Sequence, residues 1–270
     1  MDRPLLLVGC GKMGGAMLDG WLEMGLPPTD IYIVEPHEPF AEILAGKGVH
    51  TASDIGGLPE GLDPGIVLFA VKPQVMDEVA PPYERFRSPD TVYLSIAAGK
   101  AIGYFEARLG ADAAVVRAMP NTPAAVGRGI TVVCANAHVS DAQRSVCGRL
   151  LDAVGETAWV DDEDLIDAVT ALSGGGPAYV FLLTECMTQA GIDAGLPAEL
   201  SARLARITVS GAGELMRLSD EDPSTLRENV TSPGGTTAEA LKVLMAEDAW
   251  QPLMTRAIAA ATARSKELAG

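Results

Sequence analysis

A short apolar run, Pro4-Leu5-Leu6-Leu7-Val8, leads directly into Gly9-Cys10-Gly11-Lys12-Met13-Gly14, and a helical pattern follows from Met13 to about Gly25. No other feature constrains the fold as strongly. A GxGxxG motif is weak by itself. Between a strand and a helix its glycines acquire separate tasks: a tight turn, close approach of backbone to a pyrophosphate, and packing of helix on strand. The free N–H groups and dipole of the helix start then favour an anion. This reading places Gly9, Gly11, Lys12, Met13 and Gly14 in a dinucleotide site. The alternative is a Gly-rich turn in an unrelated α/β protein.

The pattern after the motif supports the first reading. Strand signals recur at Ile31 to Val34, Val49 to Thr51, Gly65 to Val71, Thr91 to Ile96, Ala114 to Ala118, Gly129 to Cys134 and Thr157 to Val160, with helical stretches between several of them. Such alternation predicts a doubly wound, mostly parallel sheet. The composition changes near the acidic run Asp161 to Asp164. Beyond it the chain is rich in Ala, Leu, Glu and Arg, with breaks at Gly174 to Pro177, Leu196-Pro197, Asp222-Pro223 and Ser232 to Gly235. We therefore expect an α/β domain over residues 1–162 and an all-helical domain over 163–270.

Several residues at predicted strand ends are candidates for ligand contact, because parallel sheets bind ligands at the carboxyl ends of their strands. Glu35 ends the second strand, where a carboxylate accepts both ribose hydroxyls of NAD and repels the 2′-phosphate of NADP. Its alternative is a solvent-facing side chain. Ala70-Val71-Lys72-Pro73 follows the fourth strand, Ala97 and Ala98 follow the fifth, and Met119-Pro120-Asn121-Thr122-Pro123 follows the sixth. The prolines in that last loop suggest a rigid presentation of Asn121 and Thr122. In the helical half, Ser232-Pro233-Gly234-Gly235-Thr236-Thr237 precedes a helical run from Ala238 to Met245. Free N–H groups with two hydroxyls would hold a compact carboxylate. A Thr N-cap behind a Gly-rich turn is the other reading. Gly174-Gly175-Gly176 weakens a helix, which points to close backbone approach there or to close helix packing.

Charge and composition exclude other classes. The net charge is −16 and no basic block occurs, which argues against nucleic acid and anionic membranes as partners. No apolar run suggests a membrane span, and the strand-like N-terminus leaves no room for a signal peptide. The four cysteines show no paired spacing, as in reduced cytosolic proteins, and the three histidines show no metal-ligand spacing. We expect a cytoplasmic protein that uses no metal.

Taken together, Gly9 to Gly14, Ala70 to Pro73, Met119 to Pro123, Asp164 to Thr170, Gly176-Pro177-Ala178-Tyr179 and, most specifically, Asn229 to Thr237 resemble the pyrroline-5-carboxylate reductase family over essentially the whole chain. The resemblance implies an N-terminal Rossmann-type domain and a C-terminal helical dimerisation domain, with the active site between the cofactor domain of one chain and the helical domain of its partner. It implies that Gly234, Gly235, Thr236 and Thr237 clamp the substrate carboxylate. Thr237 is then the catalytic hydroxyl beside the ring nitrogen, Glu163 a carboxylate near the substrate, and Asn229 a cofactor contact across the dimer. The reaction it implies is reduction of the C=N bond of 1-pyrroline-5-carboxylate by NADH or NADPH. Where the family commonly has a second serine this chain has Gly175. Small or polar residues are common in the family at the position of Glu35, and asparagine near Asp54. Both differences put acid near the adenosine ribose.

Two rivals share the architecture. A 3-hydroxyacid-type dehydrogenase needs a general base for an alcohol, usually Lys, and the helical half has only Lys242 and Lys266. A non-catalytic dinucleotide sensor has no need of a second anion site at Ser232 to Thr237. The small residues Gly211, Ala212 and Gly213 amid Leu204, Ile207, Leu215 and Met216 would make a thin core alone and suggest an obligate homodimer, with higher assembly left open.

Overall fold

The structure is a computed structural model that describes residues 3–269. The α/β part runs β1 (Leu5–Val8), α1 (Lys12–Glu23), β2 (Ile31–Val34), α2 (Glu38–Ala45), β3 (His50–Ala52), β4 (Ile66–Phe69), α3 (Met76–Val79), β5 (Val92–Ser95), α4 (Ile102–Leu109), β6 (Ala114–Met119), β7 (Gly129–Ala135), α5 (Asp141–Asp152), β8 (Gly155–Trp159) and α6 (Leu165–Val169). The strands form one sheet in the order β3-β2-β1-β4-β5-β6-β7-β8. All neighbours are parallel except β6 and β7. The loop 120–128 is too short for a crossover, so β7 returns antiparallel.

Both faces of the sheet are covered, as the continuous apolar runs required. Leu5, Leu7, Ile31 and Ile33 pack with Met17, Leu18 and Trp21 on one face. Leu6, Val8 and Val67 pack on the other with an aromatic group around Phe69, which stacks on Phe105 at 5.6 Å and meets Tyr83 edge-on at 5.4 Å. Strand order reverses direction between β1 and β4, the position where an open α/β sheet forms a ligand crevice. The sequence pattern misplaced β8, which begins at Gly155 rather than Thr157. Gly155 pairs in register with Gly129, and glycine carries no strand propensity to reveal it.

The chain divides into two compact units. One comprises the residues up to Gly174 together with those from Thr262 on, and the other runs from Gly175 to Ala261. The change therefore falls later than residue 163, and the last residues return to the α/β unit. Ile166 is fully buried among the apolar residues of the second sheet face. The buried Asp167 accepts a 2.6 Å hydrogen bond from the Ser265 hydroxyl. Composition registers the loss of strands at 161, and Ile166 and Asp167 pack with the α/β unit.

The second unit contains α7 (Gly176–Asp193), α8 (Ala198–Leu218), α9 (Pro223–Asn229), α10 (Thr236–Leu244) and most of α11 (Trp250–Ala269). α7 and α8 are tied where the Ser201 hydroxyl donates to the Thr188 carbonyl at 2.7 Å. Among apolar side chains of this unit only Ala205 is buried. Phe181, Leu204, Ile207, Leu215, Val243 and Leu253 are all exposed. Contrary to the sequence reading, one helical run, Leu165–Asp193, is long and apolar enough to cross a membrane by length and composition. Its Gly174 to Pro177 stretch read as a break, whereas α6, a π-helical turn at Thr170–Gly174 and α7 follow one another closely.

A buried ion pair fastens the start of α6 to the sheet. Arg117 of β6 is 4% exposed, and its Nη1 donates to Glu163 Oε1 at 2.8 Å. The same oxygen accepts the N–H of Ile102, the first residue of α4, at 2.8 Å. Glu163 thus neutralises a buried cation and satisfies a helix-start donor. Glu163→Ala should leave Arg117 buried without its counter-charge and destabilise the fold by about 3 kcal/mol, the low end for a broken buried pair because Glu163 is partly exposed. Urea unfolding at fixed protein concentration measures this. A loss below about 1 kcal/mol, as for surface pairs, would contradict it. Adding Arg117→Met to Glu163→Ala should recover most of the loss.

Candidate active site

The loop between β1 and α1 is pressed against the end of β4. Gly9 has φ +83°, and a side-chain carbon there would lie 2.6 Å from Val71 Cγ1. At Gly14 such a carbon would lie 2.9 Å from the Gly9 carbonyl oxygen and 3.3 Å from Ala70 Cβ. Only glycine fits either position. Gly11 differs: a carbon there would meet no protein atom within 4 Å, so it would project into open space before the helix. Gly11 is the N-cap of α1 and no side chain caps the helix. Lys12 and Met13 follow as its first residues, with Lys12 exposed. Donors left unsatisfied behind an open glycine fit a dinucleotide pyrophosphate. Gly9 and Gly14 thus serve the tight turn and the helix packing, and Gly11 leaves open space before the helix.

Glu35 reaches across to this loop from the end of β2. Its Oε2 accepts the Cys10 N–H at 2.9 Å and its Oε1 accepts the His37 N–H at 3.0 Å. The carboxylate is therefore held at the mouth of the loop and does not swing free in solvent. Burial, then the charge of Glu35, push the Cys10 thiol up to about 11, so it stays neutral beside the loop at physiological pH. Asp54 is occupied more locally, with Oδ1 accepting the N–H groups of Gly56 and Gly57 at 2.7 and 3.2 Å.

The other strand ends fall on the same edge of the sheet. Ala70 and Val71 form the wall met by Gly9 and Gly14, and the exposed Lys72 precedes a 3-10 turn that starts at Pro73. Beyond β5, Ala97 is buried with its N–H donating to Ser95 Oγ at 3.2 Å, while Ala98 is exposed. The side chain of Asn121 is engaged within the protein. Its Oδ1 accepts the Ile130 N–H at 3.0 Å and its Nδ2 donates to Ser173 Oγ at 3.1 Å. The amide side chain ties the loop to β7 and to the π-helical turn, and Thr122 beside it is exposed. Met119 lies over Gly174, where a side-chain carbon would be 2.6 Å from its Cε. Close approach at the glycine run therefore occurs at Gly174.

Glu163 is the carboxylate already described between Arg117 and Ile102, and both those bonds are internal to the α/β unit. Spacing did not single out Arg117 or Ser173. The signal for Arg117 was a lone charge inside the apolar strand Ala114 to Ala118.

In the helical unit, Gly234 adopts φ +70° and Gly235 is the N-cap of α10 with no side-chain cap. The helix starts at Thr236, earlier than the apolar periodicity indicated, and neither threonine serves as its cap. Thr236 is exposed and Thr237 half-buried. The uncapped start leaves backbone donors and two hydroxyls for an anion. Asn229, at the end of α9, is exposed and its Nδ2 donates to Glu221 at 3.0 Å.

Comparisons with known proteins agree along the whole chain. Residues 163–268 match the family model for pyrroline-5-carboxylate reductase dimerisation, and residues 5–99 match a model described as NADP oxidoreductase, coenzyme F420-dependent. The chain is 40% identical to a pyrroline-5-carboxylate reductase of Pseudomonas aeruginosa, covering 100% of this chain and 98% of the relative. Against that of Haemophilus influenzae it is 38% identical over 98% and 97% of the two chains. The solved pyrroline-5-carboxylate reductase of Coxiella burnetii superposes with a TM-score of 0.93 at 34% identity, covering 100% of both chains. That of Plasmodium falciparum, solved with NADP bound, gives 0.81 at 29% identity, covering 100% of this chain and 99% of the other. A glycine loop shaped for a dinucleotide, a helical unit matched by the dimerisation model and full-length identity at this level have one reading: the chain belongs to the pyrroline-5-carboxylate reductase family.

Proposed function

We infer that this protein reduces the C=N bond of 1-pyrroline-5-carboxylate to give proline, the last step of proline biosynthesis. The observation that carries this reading is the presence of two uncapped, glycine-led helix starts in one chain of this family, at α1 and at α10. The first suits a pyrophosphate and the second a compact carboxylate. A dihydronicotinamide dinucleotide, when bound, supplies the hydride. The chain's own contribution is positioning. Gly9, Gly11, Lys12, Met13 and Gly14 hold the diphosphate, and the backbone of Ala70 to Pro73, Ala97, Ala98 and Asn121 walls the remainder. Asn229 adds a contact to the cofactor from a partner chain.

A protonated imine is already electrophilic, so activation needs no metal. Gly234, Gly235, Thr236 and Thr237 anchor the carboxylate through backbone N–H and hydroxyl donors. The Thr237 hydroxyl accepts from the N–H of the protonated imine and then donates to the nitrogen lone pair as the imine becomes an amine, with water as the source of the further proton. A near-attack geometry for the ring carbon, with reacting atoms roughly 3–3.5 Å apart, is what this anchoring provides. Glu163, which the resemblance puts near the substrate, also holds Arg117 and the start of α4. The rival hydroxyacid chemistry finds no base at α10, since Lys242 near its end donates to Glu239 at 2.6 Å on the exposed surface. We place the protein in the cytoplasm, in keeping with its free cysteines Cys10, Cys134, Cys147 and Cys186.

Thr237→Val should lower turnover and weaken imine binding while leaving dinucleotide affinity unchanged. The lost charge-assisted hydrogen bond corresponds to roughly 1.5–3 kcal/mol. Steady-state kinetics with titrated imine, beside a binding isotherm for the dinucleotide, separates the two. Unaltered kinetics would remove Thr237 from the site.

The exposed apolar side chains of α7, α8, α10 and α11 form more apolar surface than a stable monomer usually carries. The match to the dimerisation model supports a second copy of this chain as what covers it. We expect an obligate homodimer built on residues after about 165. Light scattering that found a fully active monomer at micromolar concentration would rule this out.

A further inference from the structure

We propose that Glu35 makes this protein select NADH over NADPH. The proposal rests on reading the β1–α1 loop as the dinucleotide site and adds the discrimination made there. The glycine loop decides where the diphosphate lies, and Cys10 stands between its first two glycines. The Glu35 carboxylate is bonded to the Cys10 N–H, 2.9 Å away. An adenosine ribose joined to a phosphate at Gly11 is therefore brought against this carboxylate.

The second bond, from the His37 N–H at 3.0 Å, pins the other oxygen. Each carboxylate oxygen has two lone pairs and each has one amide donor here. One acceptor position per oxygen remains, which suits the two vicinal hydroxyls of an unmodified ribose. A 2′-phosphate offers only acceptors and adds like charge at the same place. Because both amides hold the carboxylate, it cannot turn away without losing hydrogen bonds.

Among the described residues no cation is ion-paired with Glu35, although Lys12 and Lys72 stand exposed on the adjoining turns. Lys12 to Lys47 contains no other basic residue apart from histidine. Lys47 is ion-paired with Asp19. Arg85, which reaches the turn after β3, donates to the Ile55 carbonyl at 2.9 Å. The neighbouring loops contribute Glu38 and Asp54 instead, both exposed. The family model over residues 5–99 is described by NADP and the Plasmodium falciparum relative was solved with it; Glu35 bears on this chain's own preference.

The brace and the charge are separable by experiment. Losing the bond to Cys10 loosens the loop for both dinucleotides alike. Losing the charge changes their ratio. Titration calorimetry of the full-length protein with NAD+ and NADP+ reads affinity without turnover, and kcat/KM for NADH and NADPH reads it during catalysis. Wild type should bind NAD+ at least tenfold more tightly than NADP+, a difference of about 1.4 kcal/mol. The preference should shrink as salt rises, because the repulsion is screened. Glu35→Ser and Glu35→Gln should each shift the ratio at least tenfold towards NADP+. Adenosine 5′-monophosphate against adenosine 2′,5′-bisphosphate on wild type gives the same comparison without any variant. Tighter binding of NADP+ by wild type would overturn the proposal, as would variants that weaken both dinucleotides equally. Binding of neither would overturn the dinucleotide reading and the proposal with it.

Discussion

Between Gly14 and the Gly9 carbonyl there is no room for a side-chain carbon, and between Gly9 and Val71 there is none either. That close contact joins the first strand, the first helix and the end of the fourth strand at the point where strand order reverses. It fixes the direction of α1, and so the place where its free N–H groups point. The other candidate ligand contacts of the α/β unit, Glu35 and the loops after β4, β5 and β6, are arranged about the same edge of a sheet whose parallel register brings successive strand ends level. An anion site made from backbone donors needs no basic side chain, which is compatible with the strongly acidic composition.

A second set of contacts closes the sheet where the strands stop. Arg117 is a cation among apolar neighbours, and Glu163 both neutralises it and caps α4. Asp167 and Ser265 then bind the end of α11 to α6. Asn121 ties the loop after β6 to the π-helical turn through Ser173. These polar groups support the walls of the cofactor edge. π-helical turns often occur near functional sites, and this one ends in a glycine, Gly174, that admits Met119 closely.

The helical unit follows a different physical rule. Its helices are apolar on faces that a single chain leaves in water, with no buried residue along the whole of α7. A core of that kind is completed by association. The same property explains why Leu165–Asp193 has the hydropathy of a membrane segment: residues that face a partner chain are as apolar as residues that face lipid. The start of α10 carries its own glycine turn in this unit.

Local sequence determined the strand–glycine loop–helix unit, the alternation that makes a parallel sheet, and the acid at the end of β2. These depend on residues close together in the chain, through propensity, period and backbone freedom. It also marked Gly234 to Thr237 as a candidate anion-binding turn beside the reading as a capped helix start, and the fold shows that neither threonine is the cap. It did not reveal which polar side chains are already engaged. Glu35 meets an amide twenty-five positions away, Glu163 a guanidinium forty-six positions away and Asp167 a hydroxyl ninety-eight positions away. A carboxylate at a strand end or helix start reads the same in sequence whether it faces a ligand or a buried donor. Only the folded chain brings the donor within hydrogen-bond distance, and it engages the side chains of Glu163 and Asn121 in internal bonds and holds Glu35 at the mouth of the loop.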